Sequence, residues 1–276
     1  MTTNVDFAAE RPAVLLFGDS ITQEGFTTVG GWGQLLSGYY SRRADVLNRG
    51  LSGYNTRWAL SALDGSHPPH AETILATIWF GANDAADAKH NPRQHVDLDE
   101  YKQNLNKLIE KMRKVTKNII VLSPPPIQQA MYKRVFVVPK AGPDAPEDRS
   151  WETAQVYAAA AREVSNDAGV AFIDVFAKMM EAAGNPDEDA LGPYFYDGLH
   201  LSQLGNRFIF DLVVSTIGTA YPDLTVEKCP HTSKVDNSSS KSRALKVHLP
   251  WHDWINLENQ GSVFDTEEMK AKKQVL

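Results

Sequence analysis

The sequence has little of several features that mark particular classes of protein. Its only cysteine, Cys229, excludes an intramolecular disulfide framework and suits a reducing compartment. The apolar run nearest the N-terminus, residues 13–17, is too short for a secretory signal and far too short to span a bilayer. Basic and acidic residues are interleaved, which disfavours nucleic acid and anionic membranes as partners. We therefore expect a cytoplasmic protein without a membrane span.

Length and composition are those of an ordinary globular protein. The chain has 276 residues, of which 42% are apolar, and its net charge is −6. This is enough for one domain with a sizeable core and some tail. We expect a disordered N-terminus at residues 1–10, a single domain at 11–221 and a C-terminal extension at 222–276.

Short apolar runs alternate with helical patterns along the expected domain. The runs predicted as buried strands are Ala13–Phe17, Val46–Leu47, Ile74–Phe80, Ile119–Leu122 and Val170–Val175. The clearest helices are predicted at Leu98–Val115, Trp151–Asp167 and Ser202–Ile217. Strand and helix in alternation indicate an α/β protein, a three-layer α/β/α sandwich with a parallel sheet of about five strands.

Two segments depart from this alternation. The proline-containing stretch at 128–149 is predicted to be a long loop at the sheet edge that helps to shape a site. In the extension, 234–242 is typical of a flexible tether, whereas 247–257 carries Trp251 and Trp254 and is expected to dock on the domain. The docking partner is the same subunit or a neighbouring one, in which case the extension would form a homo-oligomer.

Two polar patches follow the first two predicted strands. Ser20 lies just past the first strand, where ligands bind in open parallel sheets, and Gly18 permits a sharp turn there. Gly53 follows the second strand in a loop that can expose backbone N–H groups. Taken alone, Asp19 or Ser20 could simply cap the next turn, and glycine-containing strand exits are common.

Two further polar patches supply the remaining residues of a candidate active site. Asn83 follows the third strand and can donate a side-chain N–H, although a turn asparagine is the simpler reading. Asp197 stands three residues before His200, close enough to accept from Nδ1 and leave Nε2 free to take a proton. A lone pair of this kind is usually a surface feature. Together the four patches supply a nucleophile, an oriented base and donors for an oxyanion.

The patches resemble those of a known family. The strings FGDSIT (17–22), GYNTRW (53–58), GANDA (81–85) and DGLH (197–200), in this order, are similar to the blocks of the GDSL-type SGNH hydrolases. They are closer still to the isoamyl acetate-hydrolysing esterase group. The resemblance covers about residues 13–221 and implies the flavodoxin-like sandwich of SGNH hydrolases.

The resemblance also implies roles for individual residues. Ser20 would be the nucleophile of a catalytic triad with His200 and Asp197. The backbone N–H groups of Ser20 and Gly53 and the side chain of Asn83 would form the oxyanion hole. A serine esterase of this kind needs no metal and no cofactor, and its partner is a small ester substrate. Short-chain acetate esters come first, with lysophospholipids, acyl thioesters and acetylated sugars as alternatives.

Three other interpretations remain to be weighed against an esterase of this family. A dinuclear metallophosphoesterase needs an Asp-x-His pair, and no histidine here has an aspartate two positions before it. A conventional α/β-hydrolase carries Gly-x-Ser-x-Gly, which does not occur in the sequence. A binding module that retains the site without catalysis is the third, and labelling by a serine-reactive fluorophosphonate would separate it from an enzyme.

Overall fold

A five-stranded, all-parallel sheet forms the centre of the molecule. The computed structural model describes residues 12–26, 30–41, 43–65, 73–184 and 188–226. The strands are β1 (Ala13–Gly18), β2 (Asp45–Gly50), β3 (Thr73–Trp79), β4 (Ile119–Leu122) and β5 (Ala171–Ile173). Their order is β2-β1-β3-β4-β5, the flavodoxin-like arrangement. The predicted fold class is therefore confirmed.

Helices connect the strands and cover both faces of the sheet. They are α1 (Ser20–Gln23), α2 (Trp32–Tyr39), α3 (Thr56–Gly65), α4 (Leu98–Met112), α5 (Gln129–Tyr132), α6 (Val138–Ala141), α7 (Trp151–Ala168), α8 (Val175–Ala182), α9 (Glu188–Leu191) and α10 (Gln203–Ala220). Short 3-10 turns occur at Glu24–Phe26, Gly192–Tyr194 and Pro222–Leu224. None of the helices within the described ranges is long and apolar enough to cross a membrane.

The sheet separates two apolar layers. In β1, alternate side chains point to opposite faces: Val14 and Leu16 belong to one cluster of buried residues, and Leu15 and Phe17 to the other. The first cluster packs against α2, α8 and α10, and the second against α3, α4 and α7. A strand buried on both faces reads as a continuous apolar run, which is why β1, β3 and β4 are apparent in the sequence, whereas the half-buried β2 shows only Val46 and Leu47.

The expectation of a long loop at 128–149 is only partly correct. The segment forms α5, a π-helical turn at Lys133–Val137 and α6 before it becomes irregular. Pro139 lies in the first turn of α6, where its missing N–H has no helical partner to lose. Proline in this stretch therefore did not exclude helix.

The described fold continues slightly beyond the expected domain boundary at residue 221. Leu224 is buried in the core, and its carbonyl accepts a hydrogen bond of 2.9 Å from the hydroxyl of Tyr40. The residues expected to be disordered (1–10), the tether at 234–242 and the tryptophan-containing segment at 247–257 lie outside the described residues.

Candidate active site

The exits of three neighbouring strands are joined by backbone hydrogen bonds. β1 lies between β2 and β3, so the loops that follow these strands emerge side by side. The N–H of Asp19, after β1, donates to the carbonyl of Trp79 at the end of β3 (3.2 Å), and the N–H of Leu51, after β2, donates to the carbonyl of Gly18 (2.8 Å). The sheet therefore brings the Ser20, Gly53 and Asn83 patches to one edge.

Ser20, His200 and Asp197 form a continuous hydrogen-bonded chain. The Oγ of Ser20 lies 2.8 Å from Nε2 of His200, and Nδ1 of His200 lies 2.6 Å from Oδ2 of Asp197. Ser20 and Asp197 are only 5% and 4% exposed, so little water competes for these contacts. The arrangement allows the imidazole to accept the serine proton while the carboxylate holds it in the required tautomer.

Each member of this chain is held by its local backbone. Asp19 caps α1, since its Oδ1 accepts from the N–H of Ile21 (2.9 Å), and Ser20 is left to contact His200. The capping alternative considered for Asp19 is therefore correct, and it is compatible with a nucleophilic Ser20. Oδ1 of Asp197 accepts from the backbone N–H groups of Leu199 (2.9 Å) and His200 (2.7 Å), which fixes the carboxylate.

The glycine between the aspartate and the histidine allows a close approach. Gly198 has φ +92°, and a Cβ there would lie 2.4 Å from the backbone nitrogen of Tyr132. Its carbonyl accepts from the N–H of Gln128 (3.0 Å). A larger residue would strain the backbone and push the histidine loop away from α5.

The charges around His200 favour its protonated form. Burial lowers the pKa of His200, but the hydrogen bond to Asp197 and the negative charges of Asp197, Glu24 and Asp19 outweigh burial, so the pKa lies above its ordinary value. Burial raises the pKa of Asp197, but the contacts with His200 and the backbone N–H groups lower it overall. An ionised Asp197 beside a readily protonated His200 suits proton transfer in both directions.

Two further carboxyl groups near the site are fully buried. Burial raises the pKa of Asp19 to about 7 and that of Asp84 to about 6, although hydrogen bonds to both groups oppose the change. Asp84 accepts from the N–H (2.9 Å) and the hydroxyl (2.5 Å) of Thr56, which joins the turn after β3 to the start of α3. Because its pKa is about 7, Asp19 carries only part of its negative charge near neutral pH.

Two of the three residues expected to stabilise an oxyanion, Gly53 and Asn83, are joined by Gln94. Nε2 of Gln94 donates to the carbonyl of Gly53 (3.0 Å) and to Oδ1 of Asn83 (3.1 Å). Gly53 has φ +78°, a conformation that glycine adopts without strain. Nδ2 of Asn83 donates to the carbonyl of Tyr54 (2.8 Å), so Asn83 also ties its own turn to the loop after β2.

Besides Asp197, a second carboxylate and two aromatic rings lie next to the imidazole of His200. The ring of Tyr196 is stacked beside that of His200 with centroids 5.8 Å apart, and Phe136 approaches edge-on at 6.2 Å. The hydroxyl of Tyr196 donates to Oε2 of Glu24 (2.8 Å), whose Oε1 lies 3.9 Å from Nε2 of His200. Phe136 comes from the π-helical turn, so the 128–149 segment contributes to the site.

Four residues of this site were not singled out in the sequence. They are Glu24, Gln94, Phe136 and Arg149, whose Nη2 donates to Oδ1 of Asn83 (2.9 Å). None belongs to a short motif, and each reaches the site through a contact between residues distant in sequence. Only the expectation that the 128–149 segment shapes a site pointed towards Phe136 and Arg149.

Comparison with known proteins identifies related sequences and folds. Residues 16–208 match the model of the GDSL-like lipase/acylhydrolase family. An isoamyl acetate-hydrolyzing esterase 1 homolog of Mus musculus is 40% identical over 72% of this chain and 78% of its own length. A GDSL esterase/lipase of Arabidopsis thaliana is 38% identical over 83% of this chain and 96% of its own.

Solved structures share the fold at lower sequence identity. An acetylxylan esterase from Geobacillus stearothermophilus superposes with a TM-score of 0.58 at 22% identity, covering 76% of this chain and 95% of that one. A lipase/acylhydrolase from Enterococcus faecalis gives 0.57 at 22% identity over 75% and 95%. These likenesses support the fold. The family match and the sequence relatives show that the chain belongs to the GDSL-like lipase/acylhydrolase family and is a carboxylic ester hydrolase.

Proposed function

We propose that this esterase hydrolyses short-chain carboxylic esters, acetate esters of small alcohols first, through an acyl-enzyme on Ser20. The observation that carries the proposal is the uninterrupted chain from Ser20 Oγ through His200 to Asp197, with contacts of 2.8 and 2.6 Å. A serine hydroxyl is a weak nucleophile until a base accepts its proton, and this geometry supplies the base already oriented.

In the first half of the reaction, Ser20 Oγ bonds to the ester carbonyl carbon as its proton passes to Nε2 of His200. The carbonyl oxygen gains negative charge, which the N–H groups of Ser20, Gly53 and Asn83 stabilise. The bond to the alcohol oxygen then breaks, and the alcohol leaves with the proton from His200. In the second half, water loses a proton to His200, attacks the acyl carbon and releases the acid, and Ser20 recovers its proton.

Two observations support a small, apolar alcohol group. The sequence relatives include a protein named as an isoamyl acetate-hydrolyzing esterase 1 homolog. Beside the imidazole that protonates the leaving alcohol stand the rings of Tyr196 and Phe136, which offer apolar surface at that point.

A panel of esters tests the substrate proposal. One series varies the acyl group as p-nitrophenyl acetate, butyrate, octanoate and laurate; the other varies the alcohol of an acetate as ethyl, isoamyl, phenyl and xylosyl. We expect kcat/KM to be highest for acetate and for isoamyl or phenyl alcohols. A preference for laurate would indicate a lipid-directed acyl hydrolase, and a preference for the xylosyl acetate would indicate a carbohydrate acetylesterase.

A further inference from the structure

A buried arginine is hydrogen-bonded to Asn83, one of the proposed oxyanion donors. Arg149 is 6% exposed, and both hydrogens of its Nη2 are used on carboxamide oxygens: Oδ1 of Asn83 at 2.9 Å and Oε1 of Gln94 at 2.7 Å. No carboxylate among the described residues forms a salt bridge with it. Burying a guanidinium without a direct ion-pair partner is unfavourable, so its position calls for a compensating role.

The contacts of Asn83 allow only one orientation of its carboxamide. Its Nδ2 donates to the carbonyl of Tyr54 (2.8 Å), and its Oδ1 accepts from Arg149 and from Gln94 (3.1 Å). Rotating the amide by half a turn would place oxygen against the Tyr54 carbonyl and nitrogen against two donors. An amide nitrogen carries two N–H groups, so one remains for an oxyanion.

Gln94 is oriented by the same guanidinium. Its Oε1 accepts from Arg149 and from Nδ2 of Asn91 (2.8 Å), which leaves its Nε2 to donate to Asn83 and to the carbonyl of Gly53. If its carboxamide were rotated by half a turn, Gln94 would lose its contacts with Gly53 and Asn83, two of the three proposed oxyanion donors. Arg149 therefore reaches Asn83 directly and Gly53 through one intermediate side chain.

We propose that Arg149 is a positioning residue for the oxyanion hole. Its guanidinium holds the carboxamides of Asn83 and Gln94 in the donating orientation, and its charge polarises the Asn83 amide towards the negative oxygen of the tetrahedral intermediate. The proposal rests on the function proposed above. The contrasting role is purely structural: Arg149 also lies over the ring of Tyr132 (5.7 Å) and could simply fasten the 128–149 segment.

The first test is Arg149→Gln, with Arg207→Gln as the matched control. Arg207 is exposed on α10, where it pairs with Asp211. Active molecules are counted by fluorophosphonate titration, so partial misfolding does not enter kcat. We expect Arg149→Gln to lower kcat about 10- to 100-fold, less than the loss of the donor itself, with KM changed less than about threefold. The control should leave both unchanged.

The second test separates positioning from structure. In an Asn83→Ala background, Arg149→Gln should lower kcat clearly less than it does in the wild type, because the direct contact with Asn83 is gone and only the path through Gln94 to Gly53 remains. Affinity for a boronic acid that mimics the tetrahedral intermediate should fall in step with kcat/KM. Arg149→Lys, which retains the charge, should lose less kcat than Arg149→Gln. If Arg149→Gln does not fold, both tests are made with Arg149→Lys.

The outcomes distinguish this proposal from the one on which it rests. If Asn83→Ala has no effect, the oxyanion role of Asn83 fails. If Asn83→Ala is severe while Arg149→Gln changes kcat less than about threefold, only the positioning role of Arg149 is overturned. It is also overturned if the loss of kcat in the double variant equals the product of the losses in the two single variants. The same holds if Arg149→Gln lowers thermal stability and leaves kcat per active site unchanged.

Discussion

Replacing Asp197 by asparagine should remove almost all activity while preserving the fold. Oδ1 of Asp197 accepts from two backbone N–H groups, at 2.9 and 2.7 Å, and an asparagine can keep both contacts with its own Oδ1. Its Nδ2 then takes the place of Oδ2, 2.6 Å from Nδ1 of His200. A donor there makes Nδ1 an acceptor and places the ring proton on Nε2, facing Ser20.

The size of the effect follows from this change of tautomer. An imidazole with its proton on Nε2 cannot accept the serine proton. The same replacement in the serine-protease triad lowers kcat by about 10⁴, and we expect a similar loss here, equivalent to about 5 kcal/mol of barrier. The side chains of Asp197 and His200 are only 6% and 13% exposed, so water cannot readily restore the lost acceptor.

The assay is p-nitrophenyl acetate hydrolysis, with Asp211→Asn as the control for loss of a carboxylate elsewhere. Asp211 is exposed and pairs with Arg207 on α10, so its replacement should leave kcat unchanged. The Tm of Asp197→Asn should stay within a few degrees of the wild type. The pKa of His200, followed by NMR, should fall, because a negative acceptor has been replaced by a neutral donor. A loss of kcat below about tenfold, with Nδ1 still protonated, would refute the assigned role.

Three further predictions follow from the same site. Asn83→Ala should lower kcat by about 10²–10³, the scale of one oxyanion donor, with a smaller change in KM; a loss below about threefold would exclude that role. Because the pKa of His200 is raised, kcat/KM should begin to fall, as the pH is lowered, at a higher pH than it would with an unperturbed histidine. Glu24→Gln should shift this acid side of the pH profile to lower pH, and a profile that does not shift would exclude an influence of Glu24 on the pKa of His200. Asp19→Asn keeps the cap on α1. Because burial raises the pKa of Asp19 from 3.8 to about 7, its contribution to stability is fully present below about pH 4 and is lost as pH rises to about 7. The variant should therefore gain on the order of 1 kcal/mol per pH unit relative to wild type between about pH 4 and 7, seen as a difference in Tm that rises over this range and then stays constant.

The fold could be predicted because its signals are local and repeated. Strands buried on both faces read as apolar runs, and α4 shows an apolar stripe that includes Leu105, Leu108 and Met112. Short helices such as α2 and α8 carry too few turns to show such a pattern. The helical turns of the 128–149 segment were hidden by its prolines, of which Pro139 lies in the first turn of α6 and Pro143 and Pro146 follow that helix.

The candidate site could be predicted where its residues lie close together in the sequence or directly follow a recognisable strand. Asp197 and His200 are three positions apart, and Ser20, Gly53 and Asn83 each follow a strand that can be recognised. Arg149 and Gln94 could not be placed, because the hydrogen bond from Arg149 to Asn83 spans 66 residues and that to Gln94 spans 55. Such contacts depend on how the 128–149 segment folds over the sheet, which no local pattern specifies.

The identity of the residue that becomes acylated tests the account most directly. The enzyme is treated with a fluorophosphonate, digested, and its peptides are mapped by mass spectrometry, with Ser20→Ala in parallel. We expect one adduct per chain, located on Ser20 and absent from the variant, and labelling that slows as His200 becomes protonated. An adduct on another residue, or hydrolysis of p-nitrophenyl acetate by Ser20→Ala at the wild-type rate, would contradict it.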